Sequence, residues 1–244
     1  LFKFRCCAIG HLDFFGQEFY LSGFKKSLIR YGKKRIEEWQ GLGLKTNFLP
    51  KFTMDQDTEC RDWKVKLEDW YYQKTAEGKI LRNINGKLTV DKDTFKLEGV
   101  TVLVDTRLKP AYNDGQQMYK DDNLLGPILK QLREDGKIAR YEHGLQSSRF
   151  GVSADEWEEE IKPALAKKLR LEVNQLRLER AIEANILSQL YPYMPRRSDG
   201  GTNTRVWYEE YFEDRDYRLD GGHSGYGGLA NVDYDDSSDY RWDS

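Results

Sequence analysis

The chain has 244 residues, of which 39% are hydrophobic and 33% charged, and its formal net charge is −2. That length supports one or two small domains with their own cores, while the near-balanced charge argues against one electrostatic partner for the whole molecule. Its three cysteines, Cys6, Cys7 and Cys60, argue against a disulfide framework or a two-by-two zinc pattern and fit a reducing compartment, and no apolar run approaches the roughly 20 residues of a membrane-spanning helix.

The sequence begins at Leu1 rather than Met, so an upstream segment is expected to have been removed. Phe2 to Leu12 carries Lys3 and Arg5 and no acid, which suits the remnant of an organelle-targeting region. Through about residue 60 the chain is aromatic and basic, with Phe14, Phe15, Phe19, Tyr20 and Phe24 spaced among Gly10, Gly16 and Gly23. Ser27 to Trp39 reads as a helix weakened at Gly32, since glycine costs about 1 kcal/mol relative to alanine in a helix. Phe24, Lys25, Lys26, Arg30, Lys33, Lys34 and Arg35 form an aromatic-basic arm. Such a pattern serves nucleic acid, with charge for phosphate and rings for bases, or equally an acidic protein surface.

From Trp63 to Glu98 the pattern is that of aromatic-rich strands. Lys79 to Ile84 and Lys87 to Val90 flank Asn85-Gly86, the dipeptide that best supplies the positive φ angles of a tight hairpin. Val100 to Val104 reads as a buried strand ending at Asp105. Pro110 and Asn113-Asp114-Gly115 mark a loop. Pro127 then suits the first turn of a helix that Gly136 ends, with Ile128, Leu129 and Leu132 as its apolar face. Lys137 to Glu142 reads as a short strand.

The stretch from Ser153 to Pro195 reads as a long helix. Ser153 and Glu156 have the spacing of a capping box, and the acids from Asp155 to Glu160 crowd the positive end of the helix dipole. Trp157, Ile161, Leu165, Leu169 and Val173 form one apolar stripe. Pro163 implies either a fresh helical start there or one kinked rod. A second seam runs through Leu171, Leu178 and Ile182, so the helix is apolar on two sides. It is either a core helix or one that joins its domain to a partner subunit.

Residues 196–244 change character again. Acids, glycines and tyrosines recur without helical or strand period, so most of this tail is expected to be disordered or to fold on a partner. Val206 to Phe212 is the exception, and Trp207, Tyr208, Tyr211 and Phe212 are candidate anchors in a partner's groove.

Catalytic patterns are scarce. His11, His143 and His223 lie far apart, which argues against a metal site. Gly222-His223-Ser224-Gly225 resembles a nucleophile elbow but has Tyr226 where the motif needs glycine. Gly41-Leu42-Gly43 lacks the third glycine of a dinucleotide fingerprint. Asp121-Asp122 and Glu158 to Glu160 pair carboxylates, but Asp122 or Asn123 is better explained as a helix cap and the glutamates as an answer to a dipole. No catalytic residue, cofactor or metal is assigned, and an enzyme is not expected.

The run LVDTRLKPAYNDGQQMYKDDNLLGPILKQLREDGKIARYEHGLQSSRFGVS, with the helix after it, resembles the plastid transcriptionally active chromosome protein six family. The resemblance covers about the middle third of the chain and rests on that run rather than on a mechanistic motif. It implies a non-catalytic accessory subunit of the plastid-encoded RNA polymerase, imported from the cytosol into the chloroplast stroma and nucleoid. The implied partners are polymerase subunits and other accessory proteins, with no membrane. The competing expectation is an RNA- or DNA-binding organelle gene-expression factor, including a ribosome-associated one. The expected fold is α+β, a small antiparallel sheet with a long C-terminal helix, flanked by extended arm and tail. The divisions are an arm at 1–60, a central α+β domain at 61–195 and an acidic tail at 196–244.

Overall fold

A computed structural model describes residues 25–55, 67–105, 122–190, 206–221 and 232–238. Phe24, the three cysteines, His11, His223, the Asn113-Asp114-Gly115 turn and the Gly222 to Gly225 motif lie outside them.

Helical residues 25–31 break at Gly32, whose φ of 78° and ψ of 154° leave the helical region, and α1 (Lys33–Gly41) resumes beyond it. The expected single helix is thus two. Next come β1 (Leu44–Thr53), α2 (Asp69–Ala76), β2 (Ile80–Ile84), β3 (Lys87–Val90) and β4 (Lys96–Asp105). β2 and β3 form the expected hairpin, and Asn85 and Gly86 take φ of 54° and 84° at its turn.

Among the described residues β1 pairs only with β4, antiparallel, from Leu44 opposite Asp105 to Thr53 opposite Lys96. Pro50 falls opposite Gly99 in this register and has no N–H to donate, which a two-strand ribbon tolerates. Gly99 has φ 78°, and a Cβ there would stand 3.2 Å from Lys51 Cγ, so the position requires glycine.

α3 (Gly126–Glu134) starts with Pro127 in its first turn and is followed by Gly136 at φ 69°. Asp122 caps its approach, its Oδ1 accepting from the Leu124 and Leu125 amides at 3.0 Å each. The strand expected at Lys137 to Glu142 is absent. Instead Arg133, 1% exposed, pins a loop there. Its guanidinium donates to the carbonyls of Ala139, Gln146, Ser148 and Phe150 at 2.7 to 3.0 Å.

No single long C-terminal helix forms. α4 covers residues 154–169, begins with the expected Ser153/Glu156 capping box and widens into a π-turn over Trp157–Ile161. The widening lies just before Pro163, which lacks the N–H that the Glu159 carbonyl would otherwise accept. Arg170 then turns left-handed at φ 56° and ψ 46°, and the Leu171 amide reaches back to the Ala166 carbonyl at 2.9 Å. That is a Schellman closure. A 3-10 turn at Val173–Gln175 and a run at 176–180 that is neither helix nor strand lead to α5 (Ala181–Leu190). The two-sided apolar pattern therefore belongs to two helices and an irregular connection, and Val173 from the first stripe is 44% exposed.

The flanking tail also needs correction. β5 (Val206–Phe212), β6 (Tyr217–Gly221) and β7 (Val232–Asp236) extend the β2–β3 hairpin into a five-stranded antiparallel sheet of order β3-β2-β5-β6-β7. Tyr208, Glu210 and Phe212 alternate inward with exposures of 2%, 0% and 4%, a half-buried strand pattern hidden in the sequence by its acids. The described part of the arm, residues 25–55, is likewise no separate extension, since β1 pairs with β4.

The largest core packs α5 between the sheets. Leu49, Leu97 and Val104 come from the ribbon, and Ile80, Tyr208 and Leu219 from the five-stranded sheet. Ile182, Ile186 and Leu187 of α5 meet both. A second core joins Ile36 and Trp39 of α1 to Leu165 and Leu169 of α4, where Trp39 Nε1 donates to the Leu169 carbonyl at 3.3 Å. Arg218 ties the sheet to α4, 3.5 Å from Glu158.

Candidate partner-binding groove

The candidate contact residues divide by burial. Lys25, Lys26, Arg30, Lys33 and Lys34 are exposed and Arg35 is half-buried, on two helical pieces that Gly32 separates. Lys33 pairs with Glu37 at 3.6 Å, but both ends are well exposed, so the pair adds little. Lys26 Nζ lies 4.5 Å from the centre of the Phe48 ring, and the Arg30 guanidinium 5.3 Å from that of Tyr31. Neither Lys26 nor Arg30 has an ion-pair partner among the described residues.

The tail anchors do not behave as one surface. Tyr208 and Phe212 are core residues, and Phe212 stacks on Tyr234 with ring centres 4.0 Å apart, so neither is available to a partner. Trp207 is half-buried and donates from Nε1 to the Val152 carbonyl at 3.0 Å. Tyr211 lies against Arg218, its ring centre 4.1 Å from the guanidinium. The period-2 alternation of Tyr208, Glu210 and Phe212 was the signal that could have placed them inside.

Lys26, Arg30 and Trp207 instead meet at a groove of about 980 Å³. One wall is β4 from Gly99 to Asp105, and the other includes Asn174 to Glu179 of the connection before α5. Phe48, Tyr31, Leu103, Leu125 and Trp157 make much of its lining apolar. Arg149 borders it as well, its charge held by Asp105 at 3.0 Å and by Asp122.

Beside the groove lies a buried ionic network that sequence reasoning missed entirely. Arg177 chelates Glu183 at 2.8 and 2.6 Å. Arg180, 1% exposed, donates to the carbonyls of Thr94 and Lys96 at 2.6 and 2.8 Å and stands 3.5 Å from Glu210. Arg82 bonds Glu98 at 2.8 Å and Asp91 at 3.2 Å. Glu210 also accepts from the Thr94 hydroxyl at 3.1 Å, and that hydroxyl meets Tyr71 Oη at 2.7 Å. Three guanidiniums thus face five carboxylates, those of Asp91, Glu98, Glu183, Glu209 and Glu210.

The negative excess falls on Glu209. Its Oε2 is buried without a hydrogen bond, with Arg177 and Arg82 at 3.5 and 3.6 Å. Burial pushes its carboxyl above the ordinary range; Arg177 partly offsets this and Glu210 adds to it. Glu183 goes the other way: burial opposes its charge, but the Arg177 hydrogen bonds and charge hold its carboxyl low. Tyr71 is pushed well up, first by burial and then by Glu210. This network ties the start of α5 to β4 and to the five-stranded sheet.

Among the described residues, no group of three or more His, Cys, Asp or Glu is arranged to hold a metal ion, and no helix is long and apolar enough to cross a membrane. No family model, no curated protein and no solved structure matches the chain.

Proposed function

We propose that this chain is a non-catalytic, architectural subunit of the plastid-encoded RNA polymerase complex, acting in the chloroplast in support of plastid transcription. The groove carries the reading: a largely apolar trough of about 980 Å³, rimmed by Lys26 and Arg30, which have no ion-pair partner among the described residues, is a surface for a neighbour. The assembly is suggested by the resemblance of Leu103 to Ser153 and the helix that follows. The buried charges support the same reading from the other side, because they are spent on holding α5 in place. The tagged chain is expected to bring polymerase subunits with it when purified from chloroplasts; recovery without them counts against the assignment.

A second reading is favoured by the exposed cations Lys25, Lys26, Arg30 and Lys34, which suit phosphate. In that case the chain shifts RNA or DNA in a gel, steeply less so as salt rises, and Lys33, Lys34 and Arg35 changed together to Glu abolish the shift. An unchanged shift removes this alternative.

A further inference from the structure

The groove contacts the two strands of the ribbon differently. β1 contributes Thr46 and Phe48, alternate residues on one face. β4 contributes an unbroken run of seven, Gly99 to Asp105. Successive strand side chains point to opposite faces, so a groove lying against a face touches every second residue. An unbroken run places the backbone edge itself at the groove.

That edge is open. β4 pairs with β1 on one side and with no other strand among the described residues. Its N–H and C=O groups on the open side are a template for another strand. Across the groove, Leu176 leaves the 3-10 turn in an extended conformation, at φ −112° and ψ 142°. Seven strand residues span about 20 Å, the length of an ordinary short strand. At the rim, Lys26 and Arg30 favour carboxylates, while the acids nearby are committed inside the protein, with Glu183 on Arg177.

We infer that the groove binds an extended segment of a partner protein as an added strand on the open edge of β4, with apolar side chains in the trough and carboxylates toward Lys26 and Arg30. Main-chain hydrogen bonds to β4 supply affinity, and the alternating side chains supply selectivity. The inference deepens the proposed function and rests on the groove being the docking surface of an architectural subunit, but not on which assembly that subunit joins.

The test uses the purified 244-residue chain and a displayed library of random nonapeptides. Enriched peptides are expected to alternate apolar residues and to carry carboxylates. The best of them, made synthetically, should slow amide exchange in residues 99–105 at least tenfold. N-methylation of alternate amides in that peptide should weaken binding at least tenfold, as should Lys26→Glu with Arg30→Glu, both exposed positions whose replacement leaves the core intact. The inference is overturned if no peptide is enriched, if N-methylation has no effect, or if protection falls elsewhere. It is equally overturned if an RNA oligomer or a second copy of the chain, rather than peptide, protects those amides. A chain that passes but brings down no polymerase subunits sinks the assembly reading alone. One that brings them down while no peptide protects 99–105 sinks strand addition alone.

Discussion

Arg177 grips Glu183 with both terminal nitrogens, at 2.8 and 2.6 Å, across six positions of chain that lead from the irregular connection into α5. Glu183 Oε2 also accepts from the Arg180 amide at 3.0 Å, capping the start of that helix. One carboxylate thereby closes an ion pair, satisfies a helix-terminal N–H and fixes the direction in which α5 enters the core.

Glu183→Gln should therefore be costly. The glutamate is 2% exposed on its side chain and faces a guanidinium that keeps most of its charge out of water. Breaking one half of such a pair costs about 3 kcal/mol, read as a lowered urea midpoint. Stability from the depressed Glu183 carboxyl is fully present above the ordinary glutamate pKa and is lost as pH falls through the lower folded value. The wild-type chain should lose stability on acidification in that range, and Glu183→Gln should lose less of it.

Glu209→Gln should behave in the opposite sense. Its folded carboxyl is raised, so the folded state prefers the protonated form, and stability falls as pH rises from the ordinary glutamate value through the raised one. Glutamine removes that falling limb. Thermal unfolding at neutral pH should show the variant as stable as wild type or more so, and a loss like that of Glu183→Gln would contradict the account of the network.

Arg133→Met tests the loop after α3. The guanidinium satisfies four carbonyls between Ala139 and Phe150 at 3.0 Å or less. Methionine keeps the apolar stem and removes every donor. The expected loss is at least about 3 kcal/mol, with hydrogen exchange accelerated first in residues 138–151. Uniform acceleration across the chain would mean that Arg133 holds more than the loop.

Legibility followed the reach of the interactions. The Asn85-Gly86 turn, the Ser153/Glu156 box and the Pro127 to Gly136 helix are decided within a few residues, and each reads directly from the sequence. The break at Arg170 does not, because apolar spacing continues through Leu171 and Leu178 although the backbone has left the helix. The tail strands were hidden because Glu210 looks like a solvated acid until Thr94, 116 positions away, donates to it. Arg180 carries no sequence signal of its role, because its carbonyl acceptor on Thr94 is 86 positions away. Of the candidate site, Lys26 and Arg30 were legible from charge and Trp207 from its ring. The open edge of β4 was not, since an edge is defined by which strands fail to pair.

The central claim is that the groove, rather than a reacting centre, is what this chain offers. The most direct measurement compares polymerase subunits recovered from chloroplasts with the wild-type chain and with Lys26→Glu/Arg30→Glu, quantified by mass spectrometry against equal amounts of folded bait. Wild type should recover the subunits and the double variant at least tenfold less, with unchanged thermal stability. Equal recovery by both would contradict it, whereas recovery by neither would remove the polymerase assembly alone.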